Sequence, residues 1–148
     1  MNIVKVVGVV TEGYRIASGL GNNNPFGGST IKMQMPLFRE RGLDLSGFYP
    51  GTLNVSIAPR IRTILIKEPN YCGLRWHDDR VEDFFIFKCR LYFNGVPYDG
   101  WIYHPNKGEN ARHQHRPDTF EILAPPIPGI VYGDHVVLVV NSDEIHIE

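Results

Sequence analysis

Apolar and polar residues alternate from Phe84 to Phe93. Phe85, Phe87, Cys89, Leu91 and Phe93 fall on one side, with Lys88, Arg90 and Tyr92 on the other. A period of two marks a strand with one buried face. The run ends at Asn94-Gly95, a pair that tolerates the positive φ of a two-residue hairpin turn, and the chain resumes as a second strand from Val96 to Tyr103. Shorter runs predict strands at Asn2 to Val10, Lys32 to Met35, Leu53 to Ile57, Thr63 to Ile66, Thr119 to Leu123 and His135 to Val140. Helical patterning is confined to Leu37 to Arg41, a turn or two that Gly42 ends, read as a connector. Seven or eight short strands with at most one or two short helices predict an all-β barrel or sandwich.

Composition sharpens this picture. The 148 residues are the length of one domain, so residues 1–148 are read as a single unit. The 15 glycines and 11 prolines leave little room for a long helix. A formal charge of −1 removes any global electrostatic reason to expect a nucleic-acid or membrane-surface partner. The longest apolar runs fall far below the roughly 20 residues of a membrane span, and no secretory leader pattern opens the chain, so a soluble cytoplasmic protein is expected. Cys72 and Cys89 have no metal-type spacing and are expected as free, mostly buried thiols.

Candidate chemistry lies in three stretches of loop-like composition: Gly19 to Ser29, Pro69 to Glu82 and His104 to Asp118. In the first, Ser18-Gly19-Leu20-Gly21 follows a strand and can offer backbone N–H groups to a phosphate, or form a wide hairpin loop. In Gly51-Thr52-Leu53-Asn54, strand alternation sends Thr52 and Asn54 to one face while Leu53, Val55 and Ile57 enter the core. A hydroxyl and an amide two residues apart suit Mg²⁺, which takes oxygen ligands and keeps several waters; the other reading is a pair of solvent-facing polar residues. Glu121 lies on the polar side of a short strand that Pro125 and Pro126 stop. Trp76, Trp101, Tyr98 and Tyr103 are candidates for a stacking wall or for core packing. Asp78 and Asp79 are read as surface residues.

Taken in order, these motifs resemble the CTP-dependent riboflavin kinases of archaeal type, over roughly residues 3 to 140. The matching elements are Ser18-Gly19-Leu20-Gly21, then Gly51-Thr52-Leu53-Asn54, a glycine-containing hairpin, His115, Glu121-Ile122-Leu123-Ala124-Pro125 and Gly133-Asp134 before the last long strand. The resemblance implies a small closed barrel of the cradle-loop type with long loops. It also implies phosphoryl transfer from a nucleoside triphosphate to the ribityl hydroxyl of riboflavin, giving FMN. In that scheme Thr52 and Asn54 would hold Mg²⁺. Ser18, Gly19, Leu20 and Gly21, with Pro126, Ile127, Pro128 and Gly129, would contact nucleotide. Glu121 would act at the reacting end of the flavin, with His113 and His115 beside it. The chain departs from the family at Asn22-Asn23-Asn24-Pro25, in the short uncharged segment after Pro125, and at His113, where the family carries a threonine. Two other readings use the same residues. His113 and His115 with Glu121 and His135 could form a cupin-like site for a transition metal. Alternatively, the barrel could bind a flavin-like or phosphorylated ligand without catalysis. The expected partners are small molecules, and oligomeric state is left open.

Overall fold

A computed structural model describes residues 2–12, 25–27, 31–77, 80–106 and 116–148. It contains β1 (Ile3–Thr11), β2 (Phe26–Gly27), α1 (Ile31–Glu40), β3 (Thr52–Ser56), β4 (Arg62–Ile64) and β5 (Tyr71–His77). These are followed by β6 (Arg80–Phe93), β7 (Val96–Asn106), β8 (Thr119–Leu123), β9 (His135–Asn141) and β10 (Ile145–Ile147). Every pairing is antiparallel. The large sheet runs β1-β9-β6-β7-β8-β3-β2, and because β1 also pairs with β3 it rings round on itself. β5 adds beside β6, and β10 and β4 form a separate small sheet. Among the described residues no helix is long and apolar enough to cross a membrane.

The alternation read in the sequence decides which side of each strand is inside. Val6, Leu53, Val55, Phe87, Leu91, Ile102, Phe120, Ile122 and Leu138 come from six different strands and fill one core within the ring. The register matches them across the ladder, Val6 with Leu138, Leu53 with Ile122 and Val55 with Phe120. Ile145 and Ile147 of the small sheet join the same core. The Asn94-Gly95 turn forms as expected, both residues having positive φ (52° and 77°).

A second core lies on the outer face of β5 to β8. Leu74, Phe84, Ile86, Tyr103 and Leu123 are covered there by Ile31 and Phe38 of α1 and by Leu43 and Leu45. This corrects two expectations. Lys32 to Met35 is helical rather than a strand, because the buried residues Ile31, Gln34 and Phe38 are spaced i, i+3 and i+7 and place one helical stripe on the sheet. The helix also starts earlier than the expected Leu37 and covers a core instead of connecting strands, despite Pro36 in its interior. It ends at Gly42 as expected, through a Schellman motif. Gly42 N–H donates to Arg39 C=O (3.0 Å), Leu43 N–H donates to Phe38 C=O (2.9 Å), and Gly42 has a φ of 93°.

Three further differences have local causes. Much of Pro69 to Glu82, expected as a polar insertion, forms β5 and the start of β6, because pairing with β6 satisfies its backbone. The strand β10 was not foreseen, being three residues long with a single polar residue between two isoleucines. Of the thiols, Cys89 is buried but Cys72 is exposed, since its strand β5 lies at the sheet margin.

Two predictions follow from this packing. A methyl group on Gly100 would overlap the backbone carbonyl oxygen of Leu123, where β7 meets β8, whereas one on Gly42 would meet open space. Gly100→Ala should therefore lower stability by about 2 kcal/mol or more, through overpacking against backbone that cannot yield. Gly42→Ala should cost about 1 kcal/mol, from positive φ alone; urea titration distinguishes the two, and equal losses would contradict the close approach at Gly100. Burial, and secondarily the charge of Asp99, pushes the Cys89 thiol well up. Iodoacetamide should label Cys72 in the native protein and Cys89 only as the chain unfolds. Equal labelling rates for both thiols would disprove that burial.

Candidate functional site

The outer face of β3 carries Thr52 and Asn54 while Leu53 and Val55 point into the ring. In the register of β3 with β8, Asn54 stands directly opposite Glu121. Side chains opposite one another in an antiparallel pair share a face, so three oxygen-bearing groups meet there. Thr52 Oγ1 donates to Glu121 Oε1 at 3.4 Å. Thr52 and Asn54 are 4% and 8% exposed, which sets aside the reading of solvent-facing polar residues. A hydroxyl that gives its proton to a carboxylate keeps its lone pairs for another partner.

Next to this trio, Tyr103 projects from β7 into the second core. Its hydroxyl donates to Gln34 Oε1 of α1 at 2.7 Å. Gln34 is 1% exposed, and this bond joins the helix to β7. Burial raises the Tyr103 phenol well above the ordinary tyrosine range, and the charges of Glu121 and Glu82 push it further the same way. Glu121 is thus electrically close to Tyr103 on one side and, through β8, to Arg62 on the other.

Arg62 anchors the start of β8. Its backbone N–H donates to Pro117 C=O (2.8 Å), Nε to Thr119 C=O (2.9 Å) and Nη2 to Arg116 C=O (3.1 Å). The guanidinium also lies 5.6 Å from the centre of the Phe120 ring. Burial lowers its pKa, while Glu121 and Asp118 counter that by favouring the cation. Gln34 and Arg62 were missed as site residues. Gln34 falls where the pattern predicts a strand, and Arg62 acts through backbone carbonyls that no motif reveals.

The other expected residues are placed differently. Ser18, Gly19, Leu20, Gly21, His113, His115, Asp78 and Asp79 lie outside the described residues. Pro126, Pro128 and Gly129 are exposed in the turn after β8, but Ile127 is buried in the ring core, so its side chain faces away from any ligand in solvent. His135 is exposed at the start of β9, opposite Val9 of β1. Since β9 and β8 are separated by β6 and β7 one way and by β1 and β3 the other, His135 does not join Glu121. Among the described residues, no group of three or more His, Cys, Asp or Glu side chains could hold a metal. What is assembled is a hydroxyl, an amide and one carboxylate. Such a set of hard oxygens fits Mg²⁺ better than a soft transition metal.

The Tyr103 geometry predicts an alkaline effect. A phenol whose native pKa is raised stabilises the fold fully below its unfolded value, about 10, and loses that contribution as pH rises toward the native value. Tyr103→Phe should be less stable by about 1 kcal/mol near neutral pH, because Gln34 loses its donor. It should also lose stability less steeply than the natural protein above about pH 10, as read by thermal melts; identical alkaline slopes would refute the buried phenol. No known family model matches the chain and no curated protein matches it.

Proposed function

We propose that this chain is a riboflavin kinase of the CTP-dependent type, or a diverged relative, on a cradle-loop-type barrel. The observation that supports it best is the meeting of buried Thr52 and Asn54 with half-buried Glu121 on one polar strip. These are the positions that the sequence resemblance gives to metal and flavin. The ring of antiparallel strands is compatible with such a barrel.

In this reading Thr52 and Asn54 hold Mg²⁺, which when bound neutralises charge on the triphosphate. Glu121 accepts a hydrogen bond from the terminal ribityl hydroxyl and fixes its direction. Thr52 orients that carboxylate through the bond to Oε1. The ribityl oxygen then forms a bond to the γ-phosphorus as the bond to the β,γ-bridging oxygen breaks. The nucleoside diphosphate leaves, and the hydroxyl proton passes to Glu121. The protein's contribution is positioning and charge stabilisation, with no covalent intermediate on the chain. Backbone amides of Ser18 to Gly21 would receive the phosphates.

The test is FMN formation from riboflavin with CTP or ATP and Mg²⁺, followed by chromatography. Thr52→Ala and Asn54→Ala should each lower the rate by about 100-fold or more while the protein still melts cooperatively. Undiminished FMN formation in both variants would reject the site. Riboflavin binding without any phosphoryl transfer in the natural protein would favour the non-catalytic binding reading instead.

A further inference from the structure

Of the aromatic candidates for a ligand wall, the fold places Tyr98 against the core inside the ring, and Trp101 and Tyr103 in the second core. Trp76 lies on β5, with β6 and β7 between it and β8, and its indole Nε1–H donates to Glu82 Oε1 at 2.8 Å. The polar strip continues in the opposite direction. Thr11, the last residue of β1, stands directly opposite Asn54 in the register of β1 with β3. Their neighbours Val10 and Val55 fill the ring core, so alternation turns Thr11 and Asn54 together to the outer face. Thr11, Asn54 and Glu121 thus form a row across the adjacent strands β1, β3 and β8, at about 4.8 Å per strand.

Two observations mark this row as open to a ligand. Among the described residues, the side chains of half-buried Thr11 and of Asn54 make no hydrogen bond. Asn54 is nonetheless only 8% exposed, and no fully enclosed side-chain nitrogen or oxygen lacks a partner, so its amide atoms lie on the small part of it that stays accessible. The row is also closed at one end. Beyond Glu121 the outer face of β7 is covered, Tyr103 being buried with Phe84 and with Phe38 of α1. A chain that starts at Glu121 and crosses the strands therefore runs over Asn54 to Thr11. The three groups share a chemistry. A carboxylate accepts, an amide donates through Nδ2 even when Oδ1 holds a metal ion, and a threonine hydroxyl does either. The ligand that matches them is a neutral linear chain of hydroxyls, each able to donate and to accept.

We infer that Thr11 is a specificity-determining residue: its hydroxyl binds an inner hydroxyl of a linear polyol chain laid across β1, β3 and β8, with the chain's terminal hydroxyl at Glu121. This rests on the riboflavin reading above and deepens it, since the ribityl chain is such a polyol. A site built to hydrogen-bond a hydroxyl discriminates against a ligand that lacks it, because its own polar groups are then left unpaired.

The experiment titrates the whole 148-residue chain with riboflavin and with lumiflavin, which carries a methyl group in place of the ribityl chain, following the ligand's own fluorescence. Thr11→Val keeps the side chain's shape and removes the hydroxyl. It should weaken riboflavin binding by roughly three- to tenfold and leave lumiflavin binding unchanged, while Thr11→Ser keeps most of the riboflavin affinity. Thr63→Val, on the small sheet, should alter neither. Thermal melts confirm folding, and Thr11→Ala answers the same question where Thr11→Val does not fold. Unchanged riboflavin affinity in Thr11→Val, with FMN still formed, would overturn the inference and leave the kinase reading standing. Equal weakening of riboflavin and lumiflavin would also overturn it, by showing a structural role. Riboflavin binding that depends on the Thr11 hydroxyl, with no FMN formed by the natural protein, would support the inference and reject the kinase reading. No binding of riboflavin by the natural protein would overturn both.

Discussion

The pairing of β3 with β8 is the constraint on which the rest depends. It sets Leu53 against Ile122 inside the ring and Asn54 against Glu121 outside it. Because side chains alternate with a period of two, a slip of one residue would put the amide and the carboxylate into the hydrocarbon core and the two large apolar residues outside. Leu53 and Ile122 are both fully buried, so their removal from water holds the register. The polar strip is therefore held in place by the core behind it. β1 reinforces this arrangement by pairing with β3 on the other side, at Val10 with Val55.

Polar groups on the outer face would be costly under a helix unless each had a partner. Among the described residues, no buried side-chain nitrogen or oxygen lacks a hydrogen bond. Gln34 is the clearest instance, since a buried amide in an otherwise apolar helical stripe is tolerated only because Tyr103 donates to it. The same bond fixes where α1 lies along β7. Stability and site geometry thus share residues: the phenol that docks the helix also feels the charges of Glu121 and Glu82.

Much of the strand content was legible in the sequence. Thr119 to Leu123 was read with its observed bounds, and the Phe84 to Tyr103 hairpin was read with its turn, both ends being extended by the structure. Thr52 and Asn54 were correctly assigned to one face, because alternation is a local rule. Lys32 to Met35 was misread because four residues cannot separate a period of two from one of 3.6; the partners of Ile31 and Phe38 on the sheet decide between them. The burial of Thr52 and Asn54 was illegible for the same reason, since nothing in a five-residue strand says what will cover it.

The sequence by itself determined that this chain is mostly β, that Asn94-Gly95 turns a hairpin, and which residues of the strands it revealed share a face. Those properties follow from backbone geometry and residue type over a few positions. Only the tertiary structure decided that the sheet rings round, that α1 lies across its outer face, and that Thr52 meets Glu121 and Tyr103 meets Gln34. Each of those two contacts joins residues 69 positions apart. Such contacts follow from sheet closure and from burial of the second core, energies summed over the whole chain, and no local pattern encodes them.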